Sequence, residues 1–311
     1  MKNNVLEVKN LSKVFGPPAN VFTAVDNISF FVEEGEILGF LGPNGAGKTT
    51  TIQMMLGVLT PSGGSINYFG KDLNHNREEI LEHVNFSTTY TNLPWALSVR
   101  ENLTFISYLY DIKNRKKRVE EIVEIFKLGE LTNKTMSQLS AGQQTRVNLA
   151  KAFVNKPKVL LLDEPTASLD PDIASYIRNI ILEDRDLHKT TILWTSHNMA
   201  EVEEMCDRVI FINKGKIIAD DTPDNLARSI QIAHVELLIK DGLKRTTEYC
   251  SAHKLSYRLQ HRTIVIDVKE KQLAEFLRDL MDTGVIYDEI SIEKPTLEDY
   301  FLQVAGTYET T

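Results

Sequence analysis

The sequence is poor in cysteine, in long apolar runs and in net positive charge. Its two cysteines, Cys206 and Cys250, are too few for a disulfide framework or for a zinc site built from thiolates, which fits a reducing compartment. No stretch approaches the roughly 18 uninterrupted apolar residues that a membrane span requires, and the first residues lack the apolar segment of a signal peptide. We therefore expect a soluble cytosolic chain whose membrane role, if it has one, comes through a partner.

The net charge and the length indicate which kinds of protein and how many domains to expect. Lys and Arg number 35 against 43 Asp and Glu, a formal net charge of −8, which disfavours a protein that binds nucleic acid over its whole surface. The 42% apolar and 25% charged content is typical of packed globular domains. A length of 311 residues predicts two domains, since a typical domain has about 150 residues.

Strands and helices alternate through the first 222 residues. The predicted strands are 5–8, 24–31, 37–41, 159–162 and 191–195, with a hairpin of 209–212 and 216–219, and the predicted helices are 49–59, 141–155 and one that carries Ile173, Tyr176, Ile177 and Ile180. The more charged region 85–136 predicts a helical subdomain, at about 87–137, inserted into this α/β core. The alternation predicts a parallel sheet that is covered on both faces.

A second domain is predicted at 223–311. The acidic and proline-containing stretch 220–223 marks the boundary, and strands 234–239 and 263–268 follow it. Two apolar stripes at helical spacing predict helices, one through Leu273 and Leu280 and one that begins after a capping sequence at Thr296. We expect a small α+β domain whose stripes pack into its core.

A glycine-rich loop carries the clearest chemical signal. Residues 42–49 fit G-x-x-x-x-G-K-[ST], which matches by chance in about one chain in a hundred of this length. The loop follows a predicted strand and begins a predicted helix, so its N–H groups can wrap phosphate oxygens; a tight turn without a ligand is the alternative. The predicted ATP-binding residues are Gly42, Pro43, Asn44, Gly45, Ala46, Gly47, Lys48, Thr49 and Thr50. Lys48 would neutralise the β- and γ-phosphates, and the Thr49 hydroxyl would bind Mg²⁺.

Two adjacent carboxylates follow the buried strand 159–162. Asp163 at the strand end can hold Mg²⁺ through water, and Glu164 can polarise an attacking water. An ordinary acidic strand end is the alternative. Next to a phosphate-binding loop, we predict that Asp163 is a metal residue and Glu164 a catalytic one.

Three further segments complete a pattern: Leu139-Ser140-Ala141-Gly142-Gln143, Ser168-Leu169-Asp170, and His197 after strand 191–195. With the loop at 42–49 and the acidic pair, they resemble the ATP-binding cassette of ABC transporters. The resemblance covers essentially the whole chain, most strongly residues 5–222. It implies a P-loop α/β fold: a RecA-like core sheet, an antiparallel β subdomain, an inserted helical subdomain and a small C-terminal α+β domain.

The resemblance also implies roles for these segments. Ser140, Ala141, Gly142 and Gln143 would form the signature loop that faces the nucleotide of a second cassette, although the family normally has glycine where Ala141 stands. Ser168, Leu169 and Asp170 would form the D-loop that aligns the opposite site. His197 would contact the γ-phosphate and position water; a structural histidine is the alternative.

Two positions are less regular. The resemblance implies that Phe15 stacks on adenine. Phe22 is a second candidate, because the insertion 17–20 makes the alignment with the family ambiguous. For either ring, packing in the core is the alternative. The family places a glutamine near Mg²⁺ at the start of the helical subdomain. Here Thr89 takes that place and would supply a shorter hydroxyl ligand, or a water would fill the gap.

The basic run at 113–118 admits two interpretations. It could contact anionic lipid or a permease loop, but a solvated helix face explains it equally well, and we favour that interpretation. Cys206 is expected to be a small buried hydrophobe.

We predict an ATP-hydrolysing subunit of an ABC exporter with ATP and Mg²⁺ as ligands. Closure of a cassette dimer, with an identical or a different second cassette, would drive a separately encoded membrane permease from the cytoplasmic face of the membrane. No nucleic-acid partner is expected. One alternative is a non-transport ABC ATPase that acts on ribosomes or DNA, which usually carries two such cassettes or a long heptad insertion. The other is an ATP-gated module that hydrolyses slowly, conceivable because of Ala141 and Thr89.

Overall fold

The computed structural model describes residues 3–17, 20–88 and 93–309, the last five of them by backbone alone. The chain divides into two units, Met1–Thr222 and Pro223–Thr311. None of the helices in the described ranges combines the length and apolarity that a bilayer crossing demands.

The first unit contains most of the predicted elements. In chain order these are β1 (Asn4–Phe15), β2 (Phe22–Glu33), β3 (Ile37–Leu41), α1 (Lys48–Met55), β4 (Gly63–Tyr68), β5 (Lys71–Asp72), α2 (Arg77–Leu81), β6 (Val84–Thr88), α3 (Val99–Ser107), α4 (Arg115–Ile125), α5 (Ala141–Ala152), β7 (Val159–Asp163), α6 (Pro171–His188), β8 (Thr191–Thr195), α7 (Met199–Met205), β9 (Arg208–Asn213) and β10 (Lys216–Asp221). Short 3₁₀ turns cover Gly129–Leu131 and Met136–Gln138.

A six-stranded sheet forms the centre of this unit, in the order β10-β9-β3-β8-β7-β6. All its pairs are parallel except β9 with β10. Every residue of β3 and β8 is buried, as expected for strands covered on both faces. The carboxyl ends of β3, β7 and β8 therefore meet at one edge, where ligands bind in open parallel sheets.

A second, antiparallel sheet has the order β2-β1-β4-β5. Its apolar side chains share one core with α1 and the central sheet; Leu6, Ile28, Phe40 and Met54 are all buried in it. The β2 strand lies at the edge of this sheet, and Ala24 on it contacts the loop after β3.

Two predicted boundaries are corrected. The helix predicted over 49–59 ends at Met55, because Gly57 adopts φ +67° and breaks the helical geometry. The helical region predicted from about residue 85 begins later, since Val84–Thr88 forms a strand paired in parallel with β7. Long-range pairing overrides the local pattern there.

The prediction for the basic run is corrected in part: Lys113, Lys116 and Lys117 are exposed, but the two arginines of the run are partly buried. Arg118 donates from Nε to the carbonyl of Val154 (3.0 Å) and from Nη2 to that of Phe153 (2.6 Å), just beyond the end of α5. Arg115 donates to the carbonyl of Ser107 and lies over the Tyr108 ring. Desolvation lowers the pKa of Arg118, with Glu121 opposing the shift. Arg115 therefore joins the start of α4 to α3, and Arg118 joins α4 to the segment after α5.

The second unit is α+β. Its elements are α8 (Pro223–Arg228), β11 (Ile232–Asp241), α9 (Leu243–Ala252), β12 (Tyr257–Gln260), β13 (Thr263–Lys269), α10 (Leu273–Asp282), β14 (Ile286–Glu293) and α11 (Leu297–Glu309). The sheet order is β12-β13-β11-β14, and all its pairs are antiparallel. Alternate residues of β11 and β13 pack against Phe276 and Leu280 of α10, so that stripe is core.

A partly buried histidine ties α11 to this sheet. His234 on β11 lies 2.7 Å from Asp267 on β13 and 3.1 Å from Asp299 on α11. Desolvation acts to lower the pKa of His234, but the hydrogen bonds to the two aspartates outweigh it and raise the pKa. The Thr296 hydroxyl accepts from the Asp299 N–H (3.3 Å), as the capping sequence predicts.

Candidate active site

A cavity of about 490 Å³ opens at the edge where β3, β7 and β8 end. Its walls come from the loop after β3, the end of β7, the segment after β8 and the start of β2. The lining residues are Phe22, Ala24, Pro43, Asn44, Gly45, Ala46, Gly47, Lys48, Thr49, Thr50, Asp163, Glu164, Ala167 and His197. The structure thus brings the glycine-rich loop, the acidic pair and the histidine together in one place.

The loop after β3 is held between two neighbours and has no room for side chains at two of its glycines. A Cβ on Gly47, which has φ +109°, would lie 2.5 Å from the carbonyl oxygen of Ala24. A Cβ on Gly42 would lie 2.1 Å from that of Ile212. The Gly215 N–H also donates to the carbonyl of Ala46 (2.9 Å). The loop is therefore fixed in shape before any ligand binds.

Lys48 and the first turn of α1 make the loop electropositive. The half-buried Lys48 ammonium donates to the carbonyls of Gly42 and Pro43. Desolvation lowers the pKa of Lys48, and the charges of Glu164 and Asp163 oppose that shift. The N–H groups at the start of a helix have no acceptor within it, so this turn presents donors and partial positive charge. An anionic phosphate would satisfy these donors.

Thr195 at the end of β8 holds the Asp163 carboxylate and the backbone of Glu164, which directly follows β7. Its hydroxyl donates to Asp163 Oδ1 (2.6 Å) and accepts from the Glu164 N–H (3.2 Å). Glu164 has φ +52°, a conformation that non-glycine residues rarely adopt and that costs about 1–3 kcal/mol. The strain at Glu164 is therefore maintained by its surroundings.

Glu164 and His197 form a pair in the cavity wall. Glu164 Oε1 lies 3.3 Å from His197 Nε2, and the His197 N–H is 3.4 Å from Glu164 Oε2. Desolvation raises the pKa of Glu164 above its usual value, although the charges of His197 and Lys48 oppose the shift. A carboxylate with a raised pKa accepts a proton more readily, as a general base must.

The remaining predicted segments lie away from this cavity. Ser140 is the N-cap of α5: its hydroxyl accepts from the Gln143 N–H (3.3 Å), while the Gln143 side chain accepts from the Ser140 N–H (3.1 Å). Ser140 and Ala141 are exposed to solvent. A Cβ on Gly142 would lie 2.7 Å from the carbonyl oxygen of Ser168, so the start of α5 packs directly on the segment Ser168–Asp170. These segments contact each other but do not line the cavity.

The two aromatic candidates differ in their position relative to the cavity. Phe22 lines the cavity and its side chain is 61% exposed, whereas Phe15 is not among the lining residues. Phe15 and Phe22 are directly paired across β1 and β2, but β2 is the strand next to the glycine-rich loop. Phe15 is thus one strand farther away, with the Lys13 ammonium 5.1 Å from its ring centre. The predicted metal residue Thr89 lies outside the described residues.

Sequence reasoning missed Thr195 and Ala24. Thr195 is a polar residue at the end of a buried strand, directly before Ser196-His197, and that position was a usable signal. Ala24 contributes a backbone carbonyl to the packing of Gly47, which no side-chain pattern reveals.

The chain is similar to several known proteins. The family model described as ABC transporter matches residues 25–167. The bacitracin transport ATP-binding protein BcrA of Bacillus licheniformis is 30% identical over 306 residues, which cover 98% of each chain. The daunorubicin resistance ATP-binding protein DrrA2 of Streptomyces coeruleorubidus is 29% identical and covers 91% of this chain and 90% of its own.

Solved structures show the same fold. The ATP-binding subunit of an ABC transporter superposes with a TM-score of 0.66 at 27% identity, over 73% of this chain and 93% of its own. A dimeric cassette, MJ0796, in a post-hydrolysis state with ADP and phosphate, superposes with a TM-score of 0.65 at 23% identity, over 70% of this chain and 98% of its own. The predicted fold class is therefore confirmed.

Proposed function

Because this chain belongs to the ABC transporter family as an ATP-binding and ATP-hydrolysing subunit, we propose that it powers export through a separate membrane permease. The observation that carries the proposal is the cavity that joins the Lys48 loop to the Glu164–His197 pair. Relatives named for bacitracin transport, linearmycin resistance and daunorubicin resistance support outward transport. Their match over nearly the whole chain does not favour a non-transport ATPase.

In this proposal the loop binds the phosphates of ATP. Lys48 exchanges its two carbonyl acceptors for phosphate oxygens, which restores the counter-charge that a desolvated ammonium lacks. The donors of the first turn of α1 hold further oxygens. Phe22 at the rim offers its face to the adenine ring, a contact worth about 1–3 kcal/mol.

Mg²⁺ fits the same cavity. Thr49 and Asp163 both line it, and hydroxyl and carboxylate oxygens are the ligands that Mg²⁺ prefers. The Thr195 hydroxyl donates to one oxygen of the Asp163 carboxylate. This hydrogen bond orients the carboxylate, so that it could bind the metal or a water on the metal. The ion would neutralise charge on the phosphates; Thr89 is proposed to add a hydroxyl.

Glu164 is proposed as the general base. It takes a proton from the water whose oxygen attacks the γ-phosphorus. The bond between the γ-phosphorus and the oxygen that bridges it to the β-phosphate then breaks, and ADP leaves. His197, 3.3 Å from Glu164, is proposed to contact both that water and a γ-phosphate oxygen. Glu164→Gln should keep ATP binding but slow turnover by about 10²–10⁴-fold, because an amide cannot accept the proton.

Steady-state phosphate release and a nucleotide titration test this assignment. Glu248→Gln, the same change at an exposed residue of the second unit, is the matched control and should keep normal turnover. Normal turnover in Glu164→Gln would remove Glu164 from the mechanism. Wild-type turnover that is already as slow as that of Glu164→Gln would instead favour the slowly hydrolysing, ATP-gated module.

The exposed signature and D-loop segments are proposed to meet a second cassette, identical or different. Ser140, with the free end of α5, would contact the γ-phosphate bound by the partner, and Ser168–Asp170 would align the partner's site. The methyl group of Ala141 is exposed, so it does not keep the signature segment or the D-loop segment from meeting a second cassette. ATP-dependent dimerisation of Glu164→Gln, measured by size-exclusion chromatography, checks this step; a monomer at saturating ATP would contradict it.

The helical subdomain is proposed to dock on the permease at the cytoplasmic face of the membrane. Phe105 in the last turn of α3 and the next residues Tyr108 and Leu109, which directly follow the helix, are 52%, 68% and 61% exposed. Large apolar side chains rarely cluster on a surface without a partner. Phe105→Asp should lose co-sedimentation with native membranes and keep basal hydrolysis, whereas Asn133→Asp should retain both. Unchanged co-sedimentation of Phe105→Asp would contradict this surface.

A further inference from the structure

A buried carboxylate lies behind the cavity wall, outside every motif described above. Glu201 on α7 is 4% exposed and does not line the nucleotide cavity. It borders a second cavity of about 530 Å³ whose walls include both Glu164 and His197. Charged side chains are almost never this deeply buried unless they are paired, so its partners indicate its purpose.

Glu201 accepts hydrogen bonds from both segments that carry the reactive pair. The Thr166 hydroxyl lies 2.7 Å from Glu201 Oε1 and 2.8 Å from Oε2, and the Ser196 hydroxyl lies 3.1 Å from Oε2. Thr166 follows Glu164 by two residues in the chain, and Ser196 directly precedes His197. One carboxylate therefore holds the chain after β7 and the chain after β8 together.

A third partner balances the charge. Arg178 on α6 donates from Nη1 to Glu201 Oε1 (3.3 Å), while its Nε lies 3.0 Å from Glu204, which is half-exposed. Removal of Glu201 would leave the hydroxyls of Thr166 and Ser196 without this acceptor and Arg178 with only Glu204, of these two carboxylates, as its partner. Breaking one partner of a buried charged network costs far more than losing an exposed ion pair.

The backbone fixes Glu201 as well. Asn198 is the N-cap of α7, and its side chain accepts from the Glu201 N–H (3.3 Å). The Asn198 N–H in turn donates to the Ser196 hydroxyl (3.1 Å). On the other side, the Leu169 N–H donates to the Thr166 carbonyl (3.0 Å), which joins the same network to the D-loop. Glu201 is thus constrained from both directions.

We infer that Glu201 is a positioning residue for hydrolysis: it keeps Glu164 and His197 at their 3.3 Å separation and links the D-loop to that pair. This inference rests on the proposed catalytic roles of Glu164 and His197. Glu201 touches no reacting atom. It acts through Thr166 and Ser196, whose displacement would move the base and the histidine apart.

Glu201→Ala is expected to lower kcat by about 10–100-fold, because a misplacement near 1 Å can cost that much. The ATP Kd should change less than about 3-fold, since Glu201 does not contact the phosphate loop. Glu201→Gln keeps an acceptor of the same size and should recover part of kcat. Glu204→Ala, on the same helix and also against Arg178, is the matched control and should keep wild-type kcat.

Two milder variants cover the case in which Glu201→Ala does not fold. Thr166→Val and Ser196→Ala each remove one link to the carboxylate and should each lower kcat by about 3–10-fold at unchanged ATP Kd. Because either loss uncouples the two segments, the double variant should be little slower than the slower single variant. A merely structural role would instead lower thermal stability additively and leave kcat of the folded protein unchanged.

The outcomes separate the inference from the function on which it rests. Normal turnover in Glu164→Gln would overturn the proposed base. If Glu164→Gln is slow but Thr166→Val, Ser196→Ala and Glu201→Gln all retain kcat within about twofold, Glu201 has no positioning role. A slow Glu164→Gln together with the kcat-specific, non-additive losses supports the inference.

Discussion

The contact between Gly142 and Ser168 allows a sharp prediction for Gly142→Ala. Gly142 has no unusual φ, so the added methyl group introduces no backbone strain of its own. Its only obstacle is the Ser168 carbonyl oxygen at 2.7 Å. The substitution therefore pushes on the D-loop and leaves the phosphate loop untouched.

The size of the effect follows from the geometry. Ordinary van der Waals contact begins at 3.4 Å, whereas the added Cβ at residue 142 would lie 2.7 Å from the Ser168 carbonyl oxygen. These two atoms must therefore move apart by about 0.7 Å. Added methyl groups in tight packing cost about 1–3 kcal/mol of unfolding free energy. A comparable displacement at a catalytic site costs up to about 100-fold in rate. We expect Gly142→Ala to lose about 1–3 kcal/mol and to lower kcat by about 10–100-fold, with unchanged ATP affinity of the monomer.

Urea unfolding, phosphate release at saturating ATP and a nucleotide titration measure these three quantities. Gly129→Ala is the matched control: it adds the same methyl group where no atom lies within 4 Å, and its φ is ordinary. It should change stability by no more than about 0.5–1 kcal/mol and leave kcat unchanged. Wild-type stability and kcat in Gly142→Ala would refute the packing of α5 on the D-loop.

Three further predictions concern the nucleotide cavity. Lys48→Ala should weaken ATP binding by about 10–100-fold, because a charge-assisted hydrogen bond contributes about 1.5–3 kcal/mol; an unchanged titration would contradict the phosphate cradle. Desolvation raises the pKa of Glu164, and the base must be ionised to accept a proton. We therefore expect kcat to fall with decreasing pH through a pKa above the ordinary glutamate value of about 4.3. A fall in kcat only at or below that pH would contradict the raised pKa. Phe22→Ala should weaken ATP binding by about 5–100-fold and Phe15→Ala by less than about twofold; the reverse order, in the same titration, would restore Phe15.

The sequence by itself determined the features that depend on consecutive residues. Gly47 and Lys48 lie in one loop, so their glycine backbone requirement and their charge are visible in the order of residues. The capping of α11 by Thr296 is likewise local, as is the alternation of strands and helices that indicated a parallel sheet. Each depends on spacing within a few residues.

Only the tertiary structure decided which distant residues meet. The position of Phe22 in the cavity wall, one strand closer to the loop than Phe15, depends on which strand borders the loop. The partly buried setting of Arg118 depends on the end of α5. The contacts of Glu201 join residues 166, 178 and 196, which no local pattern connects. Local conformation follows from backbone sterics and neighbouring side chains, whereas these contacts form only when the packed sheet and helices bring remote segments within hydrogen-bonding distance.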